Sequence, residues 1–109
     1  MDKQAIEKML KQGNDSAMLR YTLGSLLLKE GLSGQAAFHL ERGLTLDSEH
    51  SASWKLYAKA LAAEGLSSQA IEAYEKGILV AEKRGDIQAA KEMKVFLKRL
   101  KALDKKNGS

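Results

Sequence analysis

Apolar residues recur three and four positions apart in six stretches of the chain, separated by turns rich in glycine, serine and aspartate. The first stretch, 2–12, sets Ile6, Met9 and Leu10 on one stripe behind Asp2, a residue suited to cap a helix. Gly13-Asn14-Asp15 breaks it, and a second helix is expected over 16–30. Its Leu19, Tyr21, Leu23, Leu26 and Leu27 cover more than one face, as in a helix packed on both sides. Gly24 lies inside it, where glycine costs about 1 kcal/mol against alanine, so a close helix crossing is expected there. Gly31 ends the helix. Ser33 is the expected cap of a third helix, 34–46, whose stripe is Ala36, Ala37, Leu40, Gly43, Leu44 and Leu46. A fourth, 50–64, carries Trp54, Tyr57, Ala58 and Leu61 at i, i+3, i+4 and i+7. Gly65-Leu66-Ser67 repeats the turn and cap, and a fifth helix, 68–83, carries Ala70, Ile71, Tyr74, Gly77, Ile78 and Val80. Asp86 is the expected cap of the last helix, 87–103. There Ala89, Ala90, Met93, Phe96, Leu97, Leu100 and Leu103 form one apolar face, and Lys91, Lys94, Lys98, Lys101 and Lys105 lie opposite. Residues 104–109 read as a polar, frayed tail.

The pattern repeats with a period of 34 residues: Gly31-Leu32-Ser33-Gly34-Gln35-Ala36 returns as Gly65-Leu66-Ser67-Ser68-Gln69-Ala70. Leu27 answers Leu61, Glu30 answers Glu64, Glu41 answers Glu75 and Gly43 answers Gly77. Hydrophobic type persists where identity is lost, as in Leu23 with Tyr57, Leu40 with Tyr74, Leu44 with Ile78 and Leu46 with Val80. A fixed period of this length marks stacked supersecondary units, here two helix–turn–helix repeats over about 17–50 and 51–84. The first stretch matches the end of a preceding second-type helix, since Ile6, Met9 and Leu10 stand one period before Leu40, Gly43 and Leu44. The last helix breaks the period: a strict register puts Gln88, Lys91 and Glu92 at positions that should be buried, so this helix is expected to be rolled about its axis.

Two 34-residue helical hairpins with Trp54, Tyr57, Ala58 and Leu61 in one leading helix, Arg20, Leu23, Gly24 and Leu27 in the other, and Ala70, Tyr74 and Gly77 or Ala36, Leu40 and Gly43 in the second helices resemble the tetratricopeptide repeat family. The proline of the family pattern is absent, with Ser48 and Glu82 in its place, and Arg20 replaces the tryptophan of the first unit. The expected architecture is all-α: a right-handed α-helical stack (an α-α superhelix) of two tetratricopeptide-like hairpins, with a short N-terminal helix and a C-terminal capping helix, in one domain over 1–109. What the resemblance implies for function is a non-catalytic protein–protein interaction module, a scaffold or adaptor that holds a peptide or helix of a partner protein in its concave groove. Carried over by position, the groove residues are Met18, Tyr21, Ser25, Leu28 and Lys29 from the first unit, and Ala52, Lys55, Lys59, Ala62 and Ala63 from the second. Helical spacing independently sets Lys55 and Lys59 away from the Trp54–Leu61 stripe, as a like-charged pair either solvated or placed for an acidic partner. Tyr21 is open to two readings, groove contact or partial cover by the N-terminal helix. Members that grip the C-terminal carboxylate of chaperones use Lys and Asn residues; here Tyr21, Ser25 and Leu56 stand at those places, so that activity is not expected.

Composition narrows the alternatives. Among 109 residues there is no cysteine and no proline, which removes disulfides and thiol chemistry and fits helices rather than many strands. No apolar run approaches a membrane span or a signal peptide, so a cytoplasmic protein with no membrane partner is expected. The net charge of +4 is modest. The lysines of the last helix could track phosphates, but no aromatics are interleaved with them, which disfavours nucleic acid. The other alternative is self-association, a homodimer through the apolar face of the last helix. His39 and His50 have no companion at metal spacing, and no phosphate loop or nucleophile–base pair is present, so neither an enzyme, a metal nor a cofactor is expected. His39 is placed on a solvent edge, His50 in the turn between units, and Trp54, Tyr57 and Tyr74 in the core.

Overall fold

Each repeat turns on the same backbone device. Gly31 has φ of +79°, which L-residues rarely adopt, and this lets the chain fold back over the helix it ends. Leu32 N then donates to Leu27 O at 2.9 Å and Gly31 N to Leu28 O at 3.0 Å. One period later Gly65, also at +79°, does the same: Leu66 N meets Leu61 O and Gly65 N meets Ala62 O, both at 3.0 Å. These are Schellman closures that satisfy the last carbonyls of a helix and set the direction of the next.

The computed structural model describes residues 1–106. They form six helices: α1 (Lys3–Lys11), α2 (Ala17–Lys29), α3 (Ser33–Leu46), α4 (Ser51–Ala63), α5 (Ser67–Arg84) and α6 (Ile87–Lys106). α2 with α3 and α4 with α5 are the two hairpins, and α4 packs on α3 and along α2. α6 packs on α5 and along α4 in the same manner, so it stands where the leading helix of a third unit would. α5 runs to Arg84, and α6 therefore starts two residues later than a strict 34-residue period would place it. Two residues turn a helix by roughly 200°. That displacement is the physical reason for the roll expected of the last helix. α6 also continues to Lys106 rather than stopping at Leu103, so the expected tail is helical over its first part; residues 107–109 lie outside the described residues.

Two apolar clusters hold the stack. Ile6, Leu23, Leu27, Ala36 and Leu40, joined by Ala60, form one around the first hairpin, and Ile6 is the fully buried anchor of α1. Ala58, Leu61, Ala70, Tyr74, Ile78, Ala81 and Met93 form the second. Gly24 does permit a close crossing: a Cβ there would sit 2.5 Å from Leu40 Cγ. Gly77 plays the corresponding part between α4 and α6, where a Cβ would lie 2.7 Å from both Trp54 Cβ and Met93 Sδ.

The helix starts depart from expectation in part. Asp2 caps α1 by accepting from Ala5 N at 2.8 Å, and Asp86 accepts from Ala89 N at 3.3 Å. Ser33 and Ser67, however, are first helical residues; Leu32 and Leu66 occupy the cap positions and make no side-chain bond. Ser33 instead donates its hydroxyl to Glu64 of the next repeat. α2 is capped by Ser16, which accepts from Leu19 N at 3.1 Å. Asp15 turns to Arg20, and His39 is not a solvent-edge residue: its Nδ1 lies 2.8 Å from Arg20 Nη1, half-buried.

Candidate functional site

The three leading helices α2, α4 and α6 lie in sequence along one face of the stack. The ten residues expected there fall on two of them. On α2, Met18 and Lys29 are exposed, and Tyr21, Ser25 and Leu28 are half-buried. On α4, Ala52, Lys55 and Ala62 are half-buried, and Lys59 and Ala63 are exposed.

Tyr21 packs edge-on against His50 at the start of α4, ring centroids 5.0 Å apart, so its ring is partly spent on joining the repeats. His50 is held in turn through Nδ1, 2.6 Å from Ser53 Oγ.

Lys55 and Lys59 both turn toward α6. Lys55 Nζ meets Glu92 Oε1 at 2.8 Å, and Lys59 Nζ lies over the ring of Phe96, 5.2 Å from its centroid. These two lysines, with Glu92, Val95 and Phe96, line a hollow of about 340 Å³ between α4 and α6. Phe96 is fixed from beneath by stacking on Tyr74 at 6.1 Å, and burial pushes the Tyr74 hydroxyl up to about 12. Hydrogen bonds from Lys55 and Gln88 hold the Glu92 carboxyl below its ordinary range. Val95 is 48% exposed, an apolar floor between a cation–π pair and an ion pair. The chemistry on offer is therefore an apolar contact flanked by ammonium groups whose present partners are Glu92 and the face of a ring.

Sequence reasoning did not assign Glu92, Val95 and Phe96 to this face. The 34-residue period finds Phe96, one period after Ala62, while Glu92 and Val95 stand one period after the buried Ala58 and Leu61 and reach this face only because α6 is rolled. The apolar stripe of α6 is largely used in packing: Ala89, Ala90 and Met93 are buried, Phe96, Leu97 and Leu100 half-buried, and Leu103 exposed. Two lysines of its basic stripe meet carboxylates of α5, Lys94 with Glu82 at 2.8 Å and Lys101 with Glu75 at 3.5 Å.

Trp54 and Tyr57 are also not the sealed core residues expected. Both are half-buried, with rings 6.3 Å apart at 61°, and they wall a second cleft on the far side of α4. Tyr74 alone of the three is fully in the core.

No protein-family model matches the chain. It is similar to a TPR repeat-containing protein of Pseudomonas aeruginosa, 45% identical over 97 residues, which make up 89% of this chain and 92% of that protein. Among solved structures it is similar to the solution structure of a protein from Bordetella parapertussis, with a TM-score of 0.82 and 38% identity over 95% of this chain and 90% of that one.

Proposed function

Because the chain belongs to the tetratricopeptide repeat family, we propose that it is a non-catalytic protein-interaction module whose leading helices hold a peptide or helix of a partner protein. The face runs from Tyr21, Ser25 and Leu28 on α2, past Lys55 and Lys59 on α4, to Val95 and Phe96 on α6. The observation that supports this reading best is the hollow between α4 and α6, where two lysines flank an exposed valine and the edge of a stacked phenylalanine. An acidic segment with an apolar residue at its centre suits that arrangement. The Lys55–Glu92 pair has one partner 27% and the other 41% exposed, so it is weak enough to be exchanged for a partner's carboxylate. The cytoplasm is the proposed setting. Among the described residues no helix is long and apolar enough to cross a membrane.

The test is a pull-down from the native cell with wild-type protein and with Lys55→Glu/Lys59→Glu. Amide chemical-shift mapping of ¹⁵N-labelled protein with the captured segment then follows. Shifts along α2, α4 and the α4-facing side of α6, lost in the double variant, are the expected result. Shifts confined to the outer face of α6, with α2 and α4 silent, overturn the reading.

A further inference from the structure

The larger cleft among those described lies between α3 and α5 and has a volume of about 400 Å³. Trp54 and Tyr57 of α4 form its aromatic walls, Leu44 and Ala73 its apolar sides, and Glu41 and Glu72 belong to its lining from the two flanking helices. On α4, Trp54 and Tyr57 point roughly 150° away from Lys55 and Lys59, so this is a different surface from the one above. We infer that this cleft receives an arginine side chain of a partner protein, with the guanidinium on the aromatic walls and between the carboxylates of Glu41 and Glu72.

Charge singles it out. The chain carries +4, yet the charged groups of the cleft are two carboxylates and one ammonium, Lys76. Both carboxylates keep acceptor capacity. Glu41 Oε2 takes one hydrogen bond from the Tyr57 hydroxyl at 3.1 Å, and an ionised carboxylate has about four lone-pair sites. Glu72 meets Lys76 one helical turn away at 3.0 Å, both more than half exposed. A pair so exposed is held loosely and is readily exchanged. Both carboxylates act on one point: after burial, the charges of Glu41 and Glu72 help push the Tyr57 hydroxyl above its ordinary value.

Shape selects arginine over lysine. A planar guanidinium stacks on an aromatic face while donating edge-on to carboxylates, and a compact ammonium cannot do both. Trp54 is already fixed, its Nε1 donating to Ser48 O at 2.8 Å, so its ring face is presented without further ordering.

Trp54 is the sole tryptophan, so its fluorescence reports on the cleft directly. The probes are N-acetyl-arginine amide and its neutral isostere N-acetyl-citrulline amide, at matched ionic strength. The expected result is a saturable change with the arginine probe in the millimolar range. Binding weakens about tenfold or more for citrulline, and equally for wild-type protein against Glu41→Gln/Glu72→Gln. Both glutamates are exposed, so far-UV circular dichroism of that variant should match wild type. Lys55→Glu/Lys59→Glu leaves the arginine response unchanged, which separates this surface from the leading-helix face. Equal response to citrulline, an unaltered response in the glutamine variant, or no saturable change at all overturns the inference.

Discussion

Arg20 donates from Nε and Nη2 to the two carboxylate oxygens of Asp15, each at 2.8 Å, at the position where the second repeat carries Trp54. The equivalence is structural as well as serial. Gly43 of α3 makes room for Arg20 Cβ as Gly77 of α5 makes room for Trp54 Cβ. Arg20 thus leaves its helix at the same packed spot as Trp54, and its charge is met locally. The Asp15 hydrogen bond raises the Arg20 pKa, and the same bond holds the Asp15 carboxyl below its usual value. The Arg20 side chain is 11% exposed and that of Asp15 35%, so the two deletions are not equivalent. Asp15→Asn leaves a mostly buried guanidinium without its counter-ion, with His39 still accepting from it, and it should destabilise by about 2 kcal/mol. Arg20→Met keeps the stem's packing and leaves a carboxylate that rehydrates, and it should lose less than about 1 kcal/mol. Urea denaturation of the two variants checks the order; a larger loss for Arg20→Met than for Asp15→Asn contradicts it.

Acid should loosen the first repeat. Burial, then the Arg20 charge, lowers the His39 pKa below its ordinary 6.5. The folded state therefore keeps a neutral imidazole whose Nδ1 accepts from Arg20, while the unfolded chain takes up a proton as pH falls through 6.5. The unfolded state binds more protons there, so stability declines with falling pH. Asp15, also lowered, adds a second decline below its ordinary 3.8. Glu7 and Asp15 face His39 with opposite charge and moderate the first decline without reversing it. Melting temperature measured from pH 8 downward should begin to fall near the unfolded histidine value. His39→Gln, which retains an acceptor for Arg20, should flatten that first step and leave the carboxylate step in place.

Gly77→Ala tests the crossing at the second interface. Alanine is the better helix former by about 1 kcal/mol. Its Cβ would lie 2.7 Å from Trp54 Cβ, an atom tied to the α4 backbone, so the helices must separate. Overpacking of this kind costs about 1–3 kcal/mol and outweighs the propensity gain. A net loss of about 1 kcal/mol is expected by chemical denaturation. Gly34→Ala is the control: the nearest atoms there belong to the end of the exposed Glu64 side chain, and no net loss is expected.

Much of this architecture was legible because it is written twice. Leu27 with Leu61, and the glycines at 31 and 65, fix helix ends and packing faces through local geometry that the 34-residue period exposes. Three features were not. The Arg20–Asp15–His39 network needs the α2–α3 packing to bring residue 39 beside residue 20, and a charged residue at an aromatic position was its only trace. The serines at 33 and 67 look like caps in sequence, but the Schellman turns place leucine at the cap and spend Ser33 on Glu64 of the neighbouring repeat. The break at Gly85, φ +78°, and the start of α6 at Ile87 were readable, but which α6 side chains face α4 depends on how the rolled helix packs, and that placed Glu92 and Val95 beside Lys55 and Lys59.

Ser16→Ala and Ser33→Ala should therefore differ. Ser16 Oγ satisfies an otherwise orphan amide of the first turn of α2, at Leu19 N. Its removal should cost about 1 kcal/mol. Ser33 makes no cap bond, and its exposed contact to Glu64 should contribute less than about half of that. Equal losses in the two variants would mean that Ser33 caps α3 in solution after all.

The Lys55–Glu92 pair gives the last expectation, which bears on the proposed interaction face. Glu92 now occupies Lys55 as a partner's carboxylate would, so the two compete for one ammonium. Glu92→Gln removes the competing charge but keeps the side chain's size, and Lys55 becomes available. If the leading helices bind an acidic segment, affinity for that segment should rise about two- to fivefold at low salt. The gain should shrink as ionic strength rises, since exposed charges are screened. Lys55→Gln should move affinity in the opposite direction, and the double variant should fall between the two. Calorimetry of the four proteins at two salt concentrations decides it: an unchanged or weakened interaction in Glu92→Gln would show that the partner does not reach Lys55.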